Sequence, residues 1–320
     1  MDLKRGKYVG LEKLEGGKYG FHGTALEEYL NCPRKFYYRH ILGLRAKQEH
    51  AALGFGSAIH FATYVWYCLQ KDESFLRNIF TEVELKAMTY DELEGSREER
   101  RDCFAKHVFS QYFATIPNSS EKCSLVNGLA GLQEYFNIYR DLDEIYEPRN
   151  LEIEQKVLMP NGTLICITLD RLFVTDNYIK VVDLKTTSAS LSDFFWKRFE
   201  NSFQLKGYYY GCQQIYDVDN VQIDGFHYPM PVRKTNYPTF ERRSFIYTDL
   251  QMEDYLITYD TITGRILEAL KKSAEERPKA FHTNETSCSN YGGCPYLPVC
   301  KHGFTHPTVK LDFKLEETGL

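Results

Sequence analysis

The sequence predicts a mixed α/β (α+β) fold, on three observations. Helical periodicity fills the N-terminal part, short apolar runs separated by turn signals begin near residue 150, and a long amphipathic pattern returns at 250–276. Residues 23–44 read as a helix, with Thr24 a candidate N-cap ahead of ALEEYL. A second helix is expected after Gly56–Ser57, carrying AIHFATYVWYCLQ. From about 71 to 147 the pattern is helical and heavily charged, as in DELEGSREERRD, which suits a helical insertion with a solvated outer face. LEIEQKVL, LICITLDRLFV and YIKVVDLK then read as a three-strand antiparallel meander, with turns at Pro160–Asn161–Gly162 and Asp176–Asn177. FQLKGYYYGCQQIY reads as a helix, and VQIDGFHY and RRSFIYT as two further strands. The tail from about 281 is loop-like, and its last dozen residues are expected to be poorly ordered. The chain thus divides into N-terminal helices (1–62), a helical insertion (63–149), a sheet-bearing core (150–280) and a cysteine-bearing tail (281–320).

Bulk composition narrows the function classes. With 320 residues, 43% hydrophobic and 26% charged, the chain can bury a sizeable core without disulfides. The formal net charge of −5 argues against a general coat for duplex DNA, so any nucleic-acid contact should be confined to a cleft. The N-terminal MDLKRGKYVG has no apolar signal region, and no run approaches the roughly 20 apolar residues that span a bilayer. A cytoplasmic location is therefore expected, where clustered cysteines bind metal more often than they pair. No G-x-x-x-x-G-K-[ST] phosphate loop is present, so the chain carries no ATP motor of that type.

The most informative residues lie on the second hairpin. A two-residue turn at Asp176–Asn177 would place Asp170 directly across from Asp183. Cross-strand partners have Cβ atoms about 4.5–5.5 Å apart, and like charges so placed repel unless a cation lies between them. Lys185 follows Asp183 by two and shares its strand face. Two carboxylates and a lysine on one face outline a site for a divalent metal and a phosphate, with hard oxygen ligands that suit Mg²⁺ or Mn²⁺. The plainer alternative is a surface hairpin with an ordinary charge cluster, but Leu169, Leu172, Val181, Val182 and Leu184 make the strands apolar and therefore central. Glu152 and Glu154 lie on the preceding strand, and their facing depends on the register at Pro160–Gly162.

Asp170 followed by Asp183–Leu184–Lys185 resembles the core motif of PD-(D/E)XK nucleases, and VVDLKT is similar to the RecB-type branch. Three further features match that branch. GSAIH offers His60, and QLKGYYYG offers Gln204 and Tyr208, four apart and so on one helical face. The third feature is the cysteine set Cys288, Cys294 and Cys300, in CSNYGGCPYLPVC, with Cys32 of NCPRKFYY as fourth member. The resemblance covers about 23–62, 150–216 and 281–303, leaving the insertion out. It implies a restriction-endonuclease-like core, with a central mixed sheet flanked by helices, that hydrolyses DNA phosphodiesters. In that reading Asp170, Asp183, the Leu184 carbonyl and His60 hold Mg²⁺ or Mn²⁺, Lys185 assists the chemistry, and Gln204 and Tyr208 position the strand.

Four thiolates alone suit either zinc or a [4Fe–4S] cluster. One N-terminal cysteine with three near the C-terminus is similar to iron–sulfur nucleases, including CRISPR-adaptation exonucleases and AddB-type nuclease domains. That likeness implies a [4Fe–4S] staple joining the chain ends. It also implies DNA as partner, single-stranded or at ends, in repair, recombination, viral DNA processing or CRISPR adaptation. A helicase, recombinase or integrase would be a possible protein partner. Cys68, Cys103, Cys123, Cys166 and Cys212 read as buried apolar residues. Arg34, Lys35, Arg39 and His40 among Phe36, Tyr37 and Tyr38, and Lys197 and Arg198 beside Phe194, Phe195 and Trp196, could bind phosphates and stack on bases, or be solvated basic faces over buried rings. Two other classes stay open: a non-catalytic or partner-dependent DNA-binding subunit, and a zinc-stapled structural protein.

Overall fold

The computed structural model describes residues 10–47, 51–71, 95–116, 120–149, 154–176, 178–228, 239–289, 293–318 and 320. A hairpin opens it, β1 (Leu11–Lys13) and β2 (Tyr19–His22), followed by α1 (Gly23–Asn31), a short turn of helix α2 (Pro33–Phe36) and β3 (Leu44–Ala46). The single helix expected over 23–44 is therefore broken. Cys32 is extended, with φ −161° and ψ 103°, because the ring of Pro33 crowds a helical backbone at the preceding residue. Thr24 is not the cap; the helix starts at Gly23, with His22 in the capping position and no side-chain capping bond.

The helices α3 (Ala51–Lys71), α4 (Arg97–Phe113) and α5 (Leu125–Asp143) follow. α3 begins before Gly56–Ser57 rather than after it. Ser96 and Glu99 close a reciprocal capping box on α4, and Ser124 caps α5. The charged stretch at 72–94 lies outside the described residues.

Next come β4 (Glu147–Arg149), β5 (Glu154–Leu158), β6 (Leu164–Thr168), β7 (Arg171–Thr175) and β8 (Tyr178–Thr187). The expected meander is corrected here. LICITLDRLFV breaks at Leu169–Asp170, so β5 pairs with β6 in one sheet while β7 pairs with β8 in another. At the break, the Asp170 carboxylate accepts the Leu184 N–H at 2.7 Å, so a side chain occupies the place of a strand partner.

The chain continues through α6 (Asp193–Glu200), α7 (Phe203–Gln213), β9 (Asn220–His227), β10 (Phe240–Phe245) and α8 (Asp249–Leu270). α8 is shorter than the 250–276 pattern. In the tail, α9 (Leu297–His302), α10 (Pro307–Asp312) and β11 (Phe313–Leu315) are ordered, contrary to expectation. β11 pairs with β3, which ties the end of the chain to its beginning and buries Phe313.

Two mixed sheets form the frame, in the orders β1-β2-β6-β5 and β10-β9-β8-β7-β4. The β2–β6 and β8–β9 pairs are parallel. The five-stranded sheet is covered on both faces. Leu172, Val181, Val221 and Ile223 join the core of α1, α7 and α8. Phe173, Val182, Leu184 and Phe226 join the core of α3, α4 and α5. A doubly covered strand reads as near-continuous apolar sequence, which is why VVDL stands out. Any charge on such a strand requires a partner or a function.

One ion cluster gives the fold a pH dependence. Glu28 of α1 is buried, with Lys35 Nζ and His40 Nε2 each 2.8 Å away and Arg39 Nη1 at 3.3 Å. Burial opposes its charge, but these neighbours outweigh burial and hold its carboxyl well below the usual range. For His40, burial outweighs the pull of Glu28, assisted by Arg39 and Arg45, and its affinity for a proton falls below that of a free histidine. The unfolded chain therefore binds a proton at His40 more readily, and stability is lost as pH falls below the free-histidine pKa of about 6.5. We expect the unfolding temperature to drop more steeply from about pH 7 to pH 5.5 in the wild type than in His40→Gln. Equal slopes would exclude this role.

Candidate active site

β7 and β8 pair with Arg171 opposite Val182 through Thr175 opposite Tyr178, the register expected from the hairpin. Asp170 lies just before the first pair, outside the ladder, and meets β8 through its carboxylate on the Leu184 N–H. Asp183 is 3% exposed. Burial raises its carboxyl above the usual range; Asp170 adds to that rise and Lys185 opposes it. Lys185 Nζ lies 2.8 Å from Asp183 Oδ2. Burial disfavours the Lys185 charge, but Asp183 and Asp170 outweigh it and hold the ammonium more firmly than in water.

His60 reaches the pair from α3. The helix approaches β8 closely because Gly56, one turn earlier, has no side chain; a Cβ there would stand 2.8 Å from Thr186 Oγ1. His60 Nδ1 lies 3.2 Å from Asp170 Oδ2. Neither His60 Nδ1 nor Asp183 Oδ2, both enclosed, has a partner in hydrogen-bond geometry. The His60 imidazole and the two carboxylates are donors of the type an oxygen-preferring divalent ion takes, with the Lys185 ammonium against Asp183 Oδ2.

α7 supplies the other side. Ser202 caps it through the Leu205 N–H. Gln204 Oε1 accepts from Lys185 Nζ at 3.2 Å, and Gln204 Nε2 donates to the Tyr208 hydroxyl at 2.8 Å. One chain of contacts thus runs from Asp183 through Lys185 and Gln204 to Tyr208, and a second joins His60, Asp170 and the Leu184 N–H.

Glu27 is a member of this constellation that sequence reasoning missed. Its Oε1 accepts from Ser202 Oγ and from the Gln204 N–H, each at 2.8 Å, so a carboxylate from α1 holds the first turn of α7. The charge of Glu27 also favours the Lys185 ammonium. A signal existed, because the N-terminus of a helix attracts a carboxylate, but nothing local in the sequence links residue 27 to residues 202–204.

The tail packs beside α1 and α2. Asn284 Nδ2 and Ser287 Oγ both donate to the Asn31 carbonyl, at 2.8 and 2.7 Å, and Arg34 Nε donates to the Phe281 carbonyl at 2.6 Å. The Cys294 N–H donates to the Cys288 carbonyl at 2.8 Å. Burial raises the Cys294 thiol, and the neighbouring sulfurs of Cys288 and Cys32 add to the rise while Lys35 opposes it. Cys300 is raised by burial and also feels Cys294 and Cys32. Cys294 thus feels Cys288 and Cys32, and Cys300 feels Cys294 and Cys32, but the four sulfurs do not lie together as one ligand-distance group.

Of the other cysteines, Cys68, Cys123, Cys166 and Cys212 are buried, whereas Cys103 is exposed. Glu154 faces His22, with Glu154 Oε2 3.2 Å from His22 Nε2, and Glu152 lies outside the described residues. The aromatic residues beside the basic clusters are mostly core: Phe36, Tyr37, Tyr38, Phe195 and Trp196 are buried. Arg198 lies over the rings of Phe195 and Phe199. Phe194, 88% exposed, is the exception.

A family model described as the PD-(D/E)XK nuclease superfamily matches residues 23–301. Among solved structures, one titled "Crystal structure of SSO0001" is 13% identical, covers 85% of this chain and 81% of its own, and superposes with a TM-score of 0.32, too low to carry an argument. No curated protein matches the chain. No helix among the described residues is long and apolar enough to cross a membrane.

Proposed function

The chain belongs to the PD-(D/E)XK nuclease superfamily, and from that premise we propose that it is an Mg²⁺- or Mn²⁺-dependent deoxyribonuclease of RecB type, acting on single-stranded DNA or DNA ends. The observation that carries the reading is the convergence of His60, Asp170, Asp183, Lys185, Gln204 and Tyr208 from α3, the β7–β8 hairpin and α7. Asp170, Asp183 and the Leu184 carbonyl would hold the ion, with His60 as a further ligand. When bound, the ion supplies an activated water and neutralises charge on the phosphate. Lys185 would orient the attacking water and stabilise the negative charge that develops on the phosphoryl oxygens. Gln204 fixes the Lys185 ammonium through its carbonyl oxygen, and Tyr208 fixes Gln204, so the pair also sets where the DNA strand lies. Glu27 anchors the turn of α7 that carries Gln204.

The test is cleavage of end-labelled single-stranded DNA by anaerobically purified protein with Mn²⁺, alongside Asp183→Ala. We expect metal-dependent cleavage that disappears in the variant. Well-folded, metal-supplied protein that leaves the DNA intact would reject the reading.

Cys32, Cys288, Cys294 and Cys300 are proposed to hold a [4Fe–4S] cluster. Four thiols from the two ends of the chain, drawn together by the Asn31 and Arg34 contacts, fit such a group by donor chemistry. Its role is structural, since all four ligands come from the protein. Cys294→Ala is expected to lose absorbance near about 400 nm together with its iron, and to unfold at lower temperature. Zinc in place of iron, or an unchanged unfolding temperature, would count against the cluster assignment.

A further inference from the structure

The four-stranded sheet carries a second group of metal-type donors that the nuclease reading does not use. Glu12 of β1, His22 of β2, Glu154 of β5 and Cys166 of β6 bring one ligand atom each to a common spot, and all of these atoms lie within 4.8 Å of one another. Every strand of the sheet supplies one donor. The register explains the convergence: His22 is opposite Cys166 in the parallel pair, and Lys156 is opposite Cys166 on the other side. Gly20, opposite Glu12, keeps the spot open, because a Cβ there would stand 2.9 Å from Cys166 Sγ and 3.2 Å from Glu12 Cγ.

The contacts are those of an assembled site. His22 Nε2 lies 3.2 Å from Glu154 Oε2, and Cys166 Sγ donates to Glu12 Oε1 at 3.4 Å. His22 and Cys166 are buried, whereas Glu12 and Glu154 are partly exposed and give an entering ion a polar route. A cation is already favoured there, since Lys156 Nζ sits 2.7 Å from Glu12 Oε1 and 3.4 Å from Glu154 Oε1. The Lys156 side chain is 35% exposed and can turn outward. One thiolate, one imidazole and two carboxylates make a borderline donor set, suited to tetrahedral zinc and poorly suited to Mg²⁺.

We propose that Glu12, His22, Glu154 and Cys166 form a structural zinc site that clamps the N-terminal hairpin to β5 and β6. It shares no residue with the Asp170–Asp183 pair or with the four-cysteine set. Glu12 and His22 precede residue 23, where the family match begins, and Glu154 and Cys166 lie within it.

The experiment titrates Zn²⁺ into the full-length, cluster-loaded protein in excess Mg²⁺, with stoichiometry read by calorimetry and thiolate ligation by the charge-transfer absorption of Co²⁺ in place of Zn²⁺. The wild type should take up one more zinc than Glu154→Gln or Cys166→Ser, and zinc should raise its unfolding temperature but not theirs. Lys156→Ala, which removes the competing ammonium, should bind zinc more tightly than the wild type. If Cys166→Ser does not fold, the exposed Glu154→Gln carries the comparison alone. Equal zinc stoichiometry in the wild type and Glu154→Gln, or unchanged affinity in Lys156→Ala, would overturn the proposal.

Discussion

Replacing Lys185 with alanine is expected to lower DNA cleavage by about 10²–10³-fold while leaving the protein folded. The size follows from the environment. The Lys185 ammonium lies against Asp183 and Gln204 on the central strand of the sheet, where water is restricted, and a fixed donor aimed at developing charge is worth most in such a place. Folding should survive because the Lys185 side chain, 27% exposed, leaves no large cavity. Lys185→Arg should not restore activity, since a planar fork cannot reproduce a compact ammonium between Asp183 and Gln204. Metal binding separates the two roles on the hairpin. Mn²⁺ affinity should persist in Lys185→Ala and be lost in Asp183→Ala. Full cleavage by Lys185→Ala would remove it from the mechanism.

The parts of the site that depend on short-range geometry were legible in the sequence. A two-residue turn sets its own register, so the pairing of β7 with β8 could be read from positions alone. A four-residue helical spacing did the same for Gln204 and Tyr208. Where the outcome depended on contacts between distant segments, the sequence was silent or misleading. LICITLDRLFV has unbroken strand composition, yet it splits because Asp170 turns its carboxylate to the Leu184 N–H. Glu27 looked like any exposed helical glutamate, but it caps a helix that begins at residue 203. The 23–44 pattern was read as one helix even though Pro33 forbids helical backbone at Cys32, a local signal that should have prevailed. Cys166 has the burial of an apolar cysteine, and only the sheet register reveals the histidine and carboxylates around it.

The second large effect lies on the opposite face of the same hairpin. Asp224→Ala is expected to destabilise the protein by about 3–5 kcal/mol, the cost of stranding buried charges. Asp224 is fully buried on β9. It pairs with Arg171 Nη2, takes the Arg242 Nε contact at 2.9 Å, and accepts from the Tyr135 hydroxyl at 3.0 Å and from Gln222 Nε2 at 2.8 Å. Burial alone would raise its carboxyl, but Arg242 and Arg171 outweigh burial and hold it ionised. Arg242 reaches on to Asp143 of α5 at 2.5 and 2.6 Å, and Asp143 also accepts from the Tyr67 hydroxyl of α3 at 2.5 Å. Two carboxylates and two guanidiniums therefore balance, and together they pin the helices α3 and α5 to the back of the sheet. Removing Asp224 leaves the buried Arg171 without its carboxylate and the mostly buried Arg242 with only Asp143. For a chain of this length the unfolding midpoint should fall by roughly 4–8 °C. Arg171 directly follows Asp170, so β7 should also loosen where it enters the site, and cleavage should weaken at temperatures where the variant is still folded. An Asp224→Ala midpoint within about 1 °C of the wild type would mean that the network is worth no more than a surface ion pair.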